Sequence, residues 1–215
     1  MSDPAGFIRA ETALAAPPLV PEIQLYLASE ILPIWHATEA DLERNGLPPP
    51  YWAFAWPGGQ ALTRHILDHP DLVAGRRVLD FAAGSGLTAI AAAMAGASAV
   101  SAAEIDPFAR MAIALNAAAN GVAVTLIEDD IIGSAGDWEV ILAGDVCYER
   151  PMAERIAAWF TELANAGKLI LIGDPGRSYL PTSGLKEIAR YQVPTTLELE
   201  YCTMRETVVW RWEGA

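Results

Sequence analysis

The sequence predicts an α/β fold, a doubly wound and mostly parallel seven-stranded sheet whose last strand runs antiparallel. Three observations predict it. From Gly75 onward, short apolar runs alternate with alanine-rich helical runs across short turns, the pattern of parallel strands joined by right-handed crossovers. The first strand feeds Val78–Gly86, VLDFAAGSG, in which an apolar run and an acid give way to a glycine turn that opens a helix. The final two β-like runs have no helix between them, which requires one antiparallel member.

Residues 1–70 are expected to form an N-terminal helical extension with an aromatic and glycine-rich cap, and residues 71–215 the core of one compact domain. Pro21 suits a first helical turn, and apolar residues from Ile23 to Leu32 predict a helix over Glu22–Leu32 that Pro33 ends. Asp41–Gly46 suits a turn, and Pro48-Pro49-Pro50 forces an extended approach. Tyr51, Trp52, Phe54 and Trp56 follow, closed by Pro57-Gly58-Gly59. Four aromatics in six residues either plug the open end of a sheet or serve a site. Gln60–Leu67 is helical in pattern.

Arg77–Phe81 is the first strand and Gly86–Ala95 its helix, stopped by Gly96. Ser98–Ala103 is the second strand; Asp106 caps the next helix, with Pro107 at its first position and Asn120-Gly121 at its end. Val122–Ile127, Val140–Ala143 and Lys168–Ile172 are further strands, with a helix over Met152–Ala166 before the last. A helix near Gly184–Tyr191 and β-like runs at Thr195–Tyr201 and Glu206–Trp212 complete the pattern, and the two tryptophans Trp210 and Trp212 suit a packed strand face.

The 215 residues are 53% hydrophobic, enough for a full core. Apolar runs are broken by Ser, Glu or Gly, so no membrane partner is expected. The start, MSDPAGFIRAE, lacks a basic region followed by an apolar stretch, so no secretory signal is expected. Cys147 and Cys202 are too few for a disulfide framework and fit a reducing cytoplasm. A net charge of −13 without a basic patch opposes binding to nucleic acid. His36, His65 and His69 lack the spacing of a metal site, and His65 is placed on a helix surface. Cys147 reads as a small buried thiol.

In this architecture ligands bind beyond the carboxyl ends of the strands. Those ends are acidic: Asp80, Glu104, Asp129 with Asp130, Asp145 and Asp174. Glu104 lies about 20 residues beyond the glycine turn, where a carboxylate accepts from a ribose diol. Asp106 suits a cap better than a ligand. Asp130 or its neighbour Asp129 could accept from an exocyclic adenine amine. Gly84-Ser85-Gly86 lacks a third glycine suited to a pyrophosphate, and an acidic pocket suits a sulfonium cation. These residues favour S-adenosylmethionine over a nicotinamide dinucleotide. Arg177 could pair with Asp174 or meet a substrate acid.

With these motifs in view, the sequence resembles the seven-strand, Rossmann-like class I S-adenosylmethionine methyltransferases. Within them it resembles the protein-lysine methyltransferases of the electron transfer flavoprotein β subunit. The resemblance spans roughly Pro21 to Trp210 and rests on PYWAFAWPGGQAL (Pro50–Leu62), VLDFAAGSG, the IDP after Glu104, GDVCYE (Gly144–Glu149) and LIGDPGR (Leu171–Arg177). It implies that Asp80, Gly84 and Gly86 contact the methionine part of the cofactor, that Glu104 holds the ribose and that Trp56–Gly59 closes the pocket. Asp145-x-x-Tyr148 matches the DxxY element that these enzymes place beside the substrate. Ala82 stands where the family usually has glycine, and its extra methyl is expected to tighten packing.

Asp145 could then orient an amine, and Tyr148 could supply a second acceptor or an aromatic wall. Ribosomal-protein and small-amine methyltransferases are the neighbouring readings, and a non-catalytic cofactor-binding module is a third class.

Overall fold

The computed structural model describes residues 3–28 and 49–214. Helix α1 (Pro4–Glu11) opens the chain because Asp3 caps it, its carboxylate accepting from Gly6 N at 2.9 Å, and Pro4 suits the first turn. A two-stranded antiparallel ribbon follows, β1 (Ala13–Ala15) and β2 (Leu25–Leu27). A 3-10 turn over Tyr51–Ala53 then leads into α2 (Pro57–Asp68).

The main sheet alternates with helices: β3 (Arg77–Phe81), α3 (Leu87–Met94), β4 (Ala99–Ala103), α4 (Pro107–Ala119), β5 (Thr125–Ile127), β6 (Val140–Gly144), α5 (Arg150–Asn165) and β7 (Leu169–Asp174). It closes with β8 (Leu185–Pro194), the short helix α6 (Leu197–Glu200) and β9 (Met204–Trp212). The strand order is β5-β4-β3-β6-β7-β9-β8. The first five run parallel to one another, and β9 inserts antiparallel between β7 and β8. This is the predicted seven-stranded sheet with its last strand reversed.

Strand periodicity sorts the core into two layers. Val78 and Leu142 face Leu62 and Ile66 of α2, Ile90 of α3 and Ile113 of α4. Their chain neighbours Leu79 and Ile141 face the other way, against Ile156, Trp159, Phe160 and Leu163 of α5. Trp212 joins that second layer with 5% of its surface exposed, and Trp210 packs beside it.

Four expectations about the fold are corrected. The predicted helix over Glu22–Leu32 gives way, in its described part, to a turn and β2. Asn116 Oδ1 accepts from Tyr26 N at 2.7 Å and Asn120 Oδ1 from Gln24 N at 2.9 Å, so α4 holds that backbone extended. The remainder of that prediction, with Pro33, His36 and the Asp41–Gly46 turn, lies outside the described residues. The predicted helix near Gly184–Tyr191 is strand β8, whose backbone pairs with β9 from Leu185 to Pro194. A sheet partner there overrides a helix-compatible pattern. Thr195–Tyr201 holds not a strand but α6, because Thr196 Oγ1 accepts from Leu199 N at 3.2 Å and LELE is a good helix former. His65 is also 6% exposed rather than at the surface, with Nδ1 3.2 Å from the Tyr191 hydroxyl.

Candidate active site

Phe81 pairs with Ala103 on one side and Ala143 on the other, so the carboxyl ends of β3, β4 and β6 lie side by side. After β3 the chain turns toward β4, and β6 begins the other half of the sheet. The glycine turn and Asp145 are therefore neighbours at the switch in strand order, where this architecture opens a crevice.

The turn from Ala82 to Gly86 is held from three directions. Gly84 N donates to Glu104 Oε2 at 2.9 Å, while Glu104 Oε1 accepts from Asp106 N at 3.0 Å. Asn116 Nδ2 donates to Ser85 O at 2.8 Å. From beneath, Asp80 Oδ2 accepts from Ala89 N at 2.9 Å, in the first turn of α3. At 2% exposure Asp80 lies sealed under the turn, and burial pushes its carboxyl well above the usual range. Gly84 has φ 53°, and a Cβ added there would meet nothing within 4 Å, so the turn presents bare backbone to open space. Gly86 packs on Ile113 of α4.

Ala82 also has φ 53°. Its departure from glycine thus strains the backbone, by about 1–2 kcal/mol for a left-handed alanine, rather than tightening packing.

Opposite the turn, α2 lies directly on the ends of β6 and β7. A Cβ at Gly58 would come within 2.2 Å of Gly173 O, and one at Gly144 within 2.8 Å of Gly59 Cα. Glycine on both sides lets the helix start touch the strands, and Asp145 fills the junction. Its Oδ2 accepts from Gly59 N at 3.1 Å. Its Oδ1 accepts from Arg177 Nη2 at 2.7 Å and Nε at 3.1 Å. Asp145 is 9% exposed with φ 57°, and burial lifts its carboxyl to about 6 against the pull of Arg177.

Arg177 does not pair with Asp174 through its side chain, one of the two partners expected for it. It bridges Asp145 to Glu200 of α6, with Nη2 2.5 Å from Oε1, and lies over the Trp56 ring at 5.6 Å. Asp174 Oδ1 accepts instead from Gly176 N and Arg177 N, each at 2.7 Å, while its Oδ2 is sealed without a hydrogen-bond partner among the described residues.

The aromatic segment divides. Trp52 and Phe54 are buried with Ile8 and Ala112 between α1 and α4. Tyr51 and Trp56 face the crevice, their rings 5.8 Å apart, and Tyr51 lies 5.7 Å from Tyr148. Tyr148 is 45% exposed, and its hydroxyl is pushed up to about 12 by partial burial and the charge of Glu149. Cys147 is buried, its thiol likewise pushed up to about 12 by burial and by Asp174 and Asp145. Asp130 is committed to Arg155 at 2.6 Å, a pair that holds its carboxyl below the usual range. Asp129 stands exposed without a side-chain partner among the described residues. Asp106 caps α4, accepting from Phe108 N at 2.8 Å. Among the described residues no cluster of His, Cys, Asp or Glu could hold a metal.

Residues 61–171 match the family model described as ribosomal protein L11 methyltransferase (PrmA). The chain is 39% identical over 201 residues to the electron transfer flavoprotein beta subunit lysine methyltransferase of Danio rerio, covering 90% of this chain and 77% of that protein. The chain belongs to the electron transfer flavoprotein beta subunit lysine methyltransferase family. The Homo sapiens member is 37% identical, covering 89% of this chain and 75% of its own length. Ribosomal protein L11 methylase from Lactobacillus delbrueckii subsp. bulgaricus shares the fold, with a TM-score of 0.54 at 20% identity over 80% of this chain and 83% of that one.

The methyltransferase depends on S-adenosylmethionine. Its residues fit that group: the space beside Gly84 Cα is open, and the adjoining carboxylate of Glu104 is held in place by Gly84 N and Asp106 N. Four participants escaped the sequence reading or were not placed by it. Arg177 was visible only as a cation after β7, and Tyr51 only as one of four aromatics. Glu200 carried no signal. Asn116 left one: an asparagine four residues before Asn120, in a helix otherwise rich in alanine, marks a polar spot on a packed face.

Proposed function

We propose that this methyltransferase transfers a methyl group to lysine side chains of the electron transfer flavoprotein β subunit, in the cytoplasm. The observation that carries the reading is identity of 37–39% over about nine-tenths of the chain with vertebrate enzymes named for that substrate. The electronegative chain, at −13, suits a lysine-bearing partner and disfavours nucleic acid.

S-adenosylmethionine supplies an electrophilic methyl group, and the chain's own residues bind, orient and exclude water. Gly84 offers close backbone approach, Gly86 seats the turn against Ile113 of α4, Glu104 retains lone pairs for a ribose diol, and Trp56–Gly59 covers the crevice. Asp129 rather than Asp130 is the acid left free for an adenine amine, since Arg155 occupies the latter. Asp80 acts from below by holding the turn. Transfer needs an amine lone pair held in line behind the methyl carbon, and water kept out. Asp145 is fixed at both oxygens, yet Oδ2 spends only one lone pair on Gly59, so it can accept once more from an amine and set its direction. Tyr51, Trp56 and Tyr148 wall the approach with ring faces that suit an alkylammonium. Free lysine titrates near 10.4, and a carboxylate favours the cation, so Asp145 orients the amine and does not take its proton.

The test uses purified enzyme, labelled S-adenosylmethionine and three acceptors: the folded β subunit, free lysine and nicotinamide. The subunit should label far faster than either small amine. The reverse order assigns the enzyme to small-amine methylation.

A further inference from the structure

Only three non-glycine residues among those described adopt a positive φ: Ala82, Asp145 and Tyr201. Two of them border the crevice. The third, Tyr201 at φ 57°, ends α6 and is 90% exposed. Eleven of the described glycines take positive φ, so a strain-free residue for such a position is in regular use. A tyrosine that is strained and contacts almost nothing within its own fold stabilises nothing there.

Its surroundings share the pattern. Leu197 is 63% exposed and Met204 49%, both within a few residues of Tyr201 at the tip joining β8 to β9. The tip is built to hold its shape. Thr195 N donates to Thr203 O at 3.0 Å, Tyr201 N to Leu197 O at 3.0 Å, and Thr196 caps α6. The same four-residue helix turns Glu200 inward, where it is 7% exposed and bound to Arg177, which in turn holds Asp145. One face of α6 therefore belongs to the active site, and the other offers an apolar tip beside it, rimmed by exposed Glu198.

We propose that the α6 tip, through Tyr201, Leu197 and Met204, docks the folded protein whose lysine is methylated. This rests on the substrate class given above. The occupant is a lysine-bearing protein surface: the apolar patch needs an apolar counterpart, and exposed Glu198 with the net charge of −13 favours one that also carries basic residues around it. An exposed tyrosine, with only two side-chain torsions and a hydrogen-bonded backbone, contributes contact area at small cost in conformational freedom, as interface anchors do. Because the tip is continuous with Arg177 and Asp145 through one short helix, docking fixes the distance from the partner's surface to the reacting amine. A short peptide has no such surface to place on the tip.

Tyr201→Gly removes the ring and relieves the backbone, so the variant should melt no lower than the parent. Its kcat/KM should be measured on the folded β subunit and on a Glu-C digest of that subunit. The expected result is a loss of about tenfold on the folded protein, mainly in KM, with the digest labelled at the parental rate. Parental kcat/KM on the folded protein overturns the proposal. An equal loss on both acceptors also overturns it, because the tip would then act on the crevice itself. If the parent enzyme labels neither the subunit nor its digest, the substrate reading fails by itself. The tip is then judged by labelling of native cell extract against its Glu-C digest, with the same two outcomes.

Discussion

Removing the guanidinium that joins Asp145 to Glu200 should expose how much the crevice depends on it. In Arg177→Met the stem length is kept, while contacts of 2.7 and 3.1 Å to Asp145 and of 2.5 and 3.3 Å to Glu200 are lost. Both carboxylates are nearly buried, at 9% and 7% exposure, so Asp145 is left without its cation and Glu200 keeps only Arg205 Nε, at 3.8 Å. Breaking a buried pair in this way costs about 3–5 kcal/mol. The cost must vary with pH. Asp145 titrates at about 6 in the folded chain against an ordinary 3.8. Between those values the folded protein keeps a proton that the unfolded chain has lost, so stability is fullest below the lower value and falls as pH rises through the upper one.

Loss of Arg177 removes the pull that keeps Asp145 from rising further, so in the variant the fall continues above pH 6. Urea unfolding at pH 5 and pH 8 should therefore show a parent–variant difference of about 2 kcal/mol at the lower pH and about 4 at the higher. A difference under about 1 kcal/mol at pH 8 would show that Arg177 holds nothing in place. A difference independent of pH would show that Asp145 is not the group it stabilises.

Glu104→Ala should weaken S-adenosylmethionine binding by roughly 1.5–3 kcal/mol, since a charged acceptor and the anchor of Gly84 N go together; equal calorimetric affinities of folded parent and variant would remove Glu104 from the site. Gly173→Ala would place a Cβ 2.0 Å from Gly58 O, so α2 must lift from the sheet. Overpacking of this kind costs about 1–3 kcal/mol, and the melting temperature should drop by about 3–10 °C; an unchanged value would mean that helix and strand do not touch. Burial should keep Cys147 unmodified by iodoacetamide at pH 8 in the native protein while Cys202 reacts, both reacting in urea; mass spectrometry reads the two sites.

The central strands and helices could be read from the sequence because their signals are local. Asp106-Pro107 starts a helix wherever it is placed, and Gly96 and Gly167 stop one. The strand-end acids were legible for the same reason, each directly following an apolar run. What escaped depends on partners distant in sequence. β2 is extended because Asn116 and Asn120, some 90 residues later, take its amides. β8 is a strand because β9 lies beside it. Within the site, Arg177 meets Asp145 across 32 residues and Glu200 across 23. No spacing rule reaches either. The aromatic segment mixed both readings at once, since a 3-10 turn sends Trp52 inward and Tyr51 out.

The placement of β9 bears on how the chain is made. Strands β3 to β7 can assemble in the order in which they leave the ribosome, each beside one already present. β8 cannot join them, because the slot next to β7 belongs to residues 204–212, which are synthesised after it. Until those residues emerge, one edge of β7 and the whole of β8 have unpaired backbone, a nascent state open to strand addition by other chains. Glu200 enters its pair with Arg177 from the link between these same two strands. The acid–base lattice around Asp145 is therefore completed only when synthesis has passed β9, and a nascent chain lacking it would hold Asp145 without its full support.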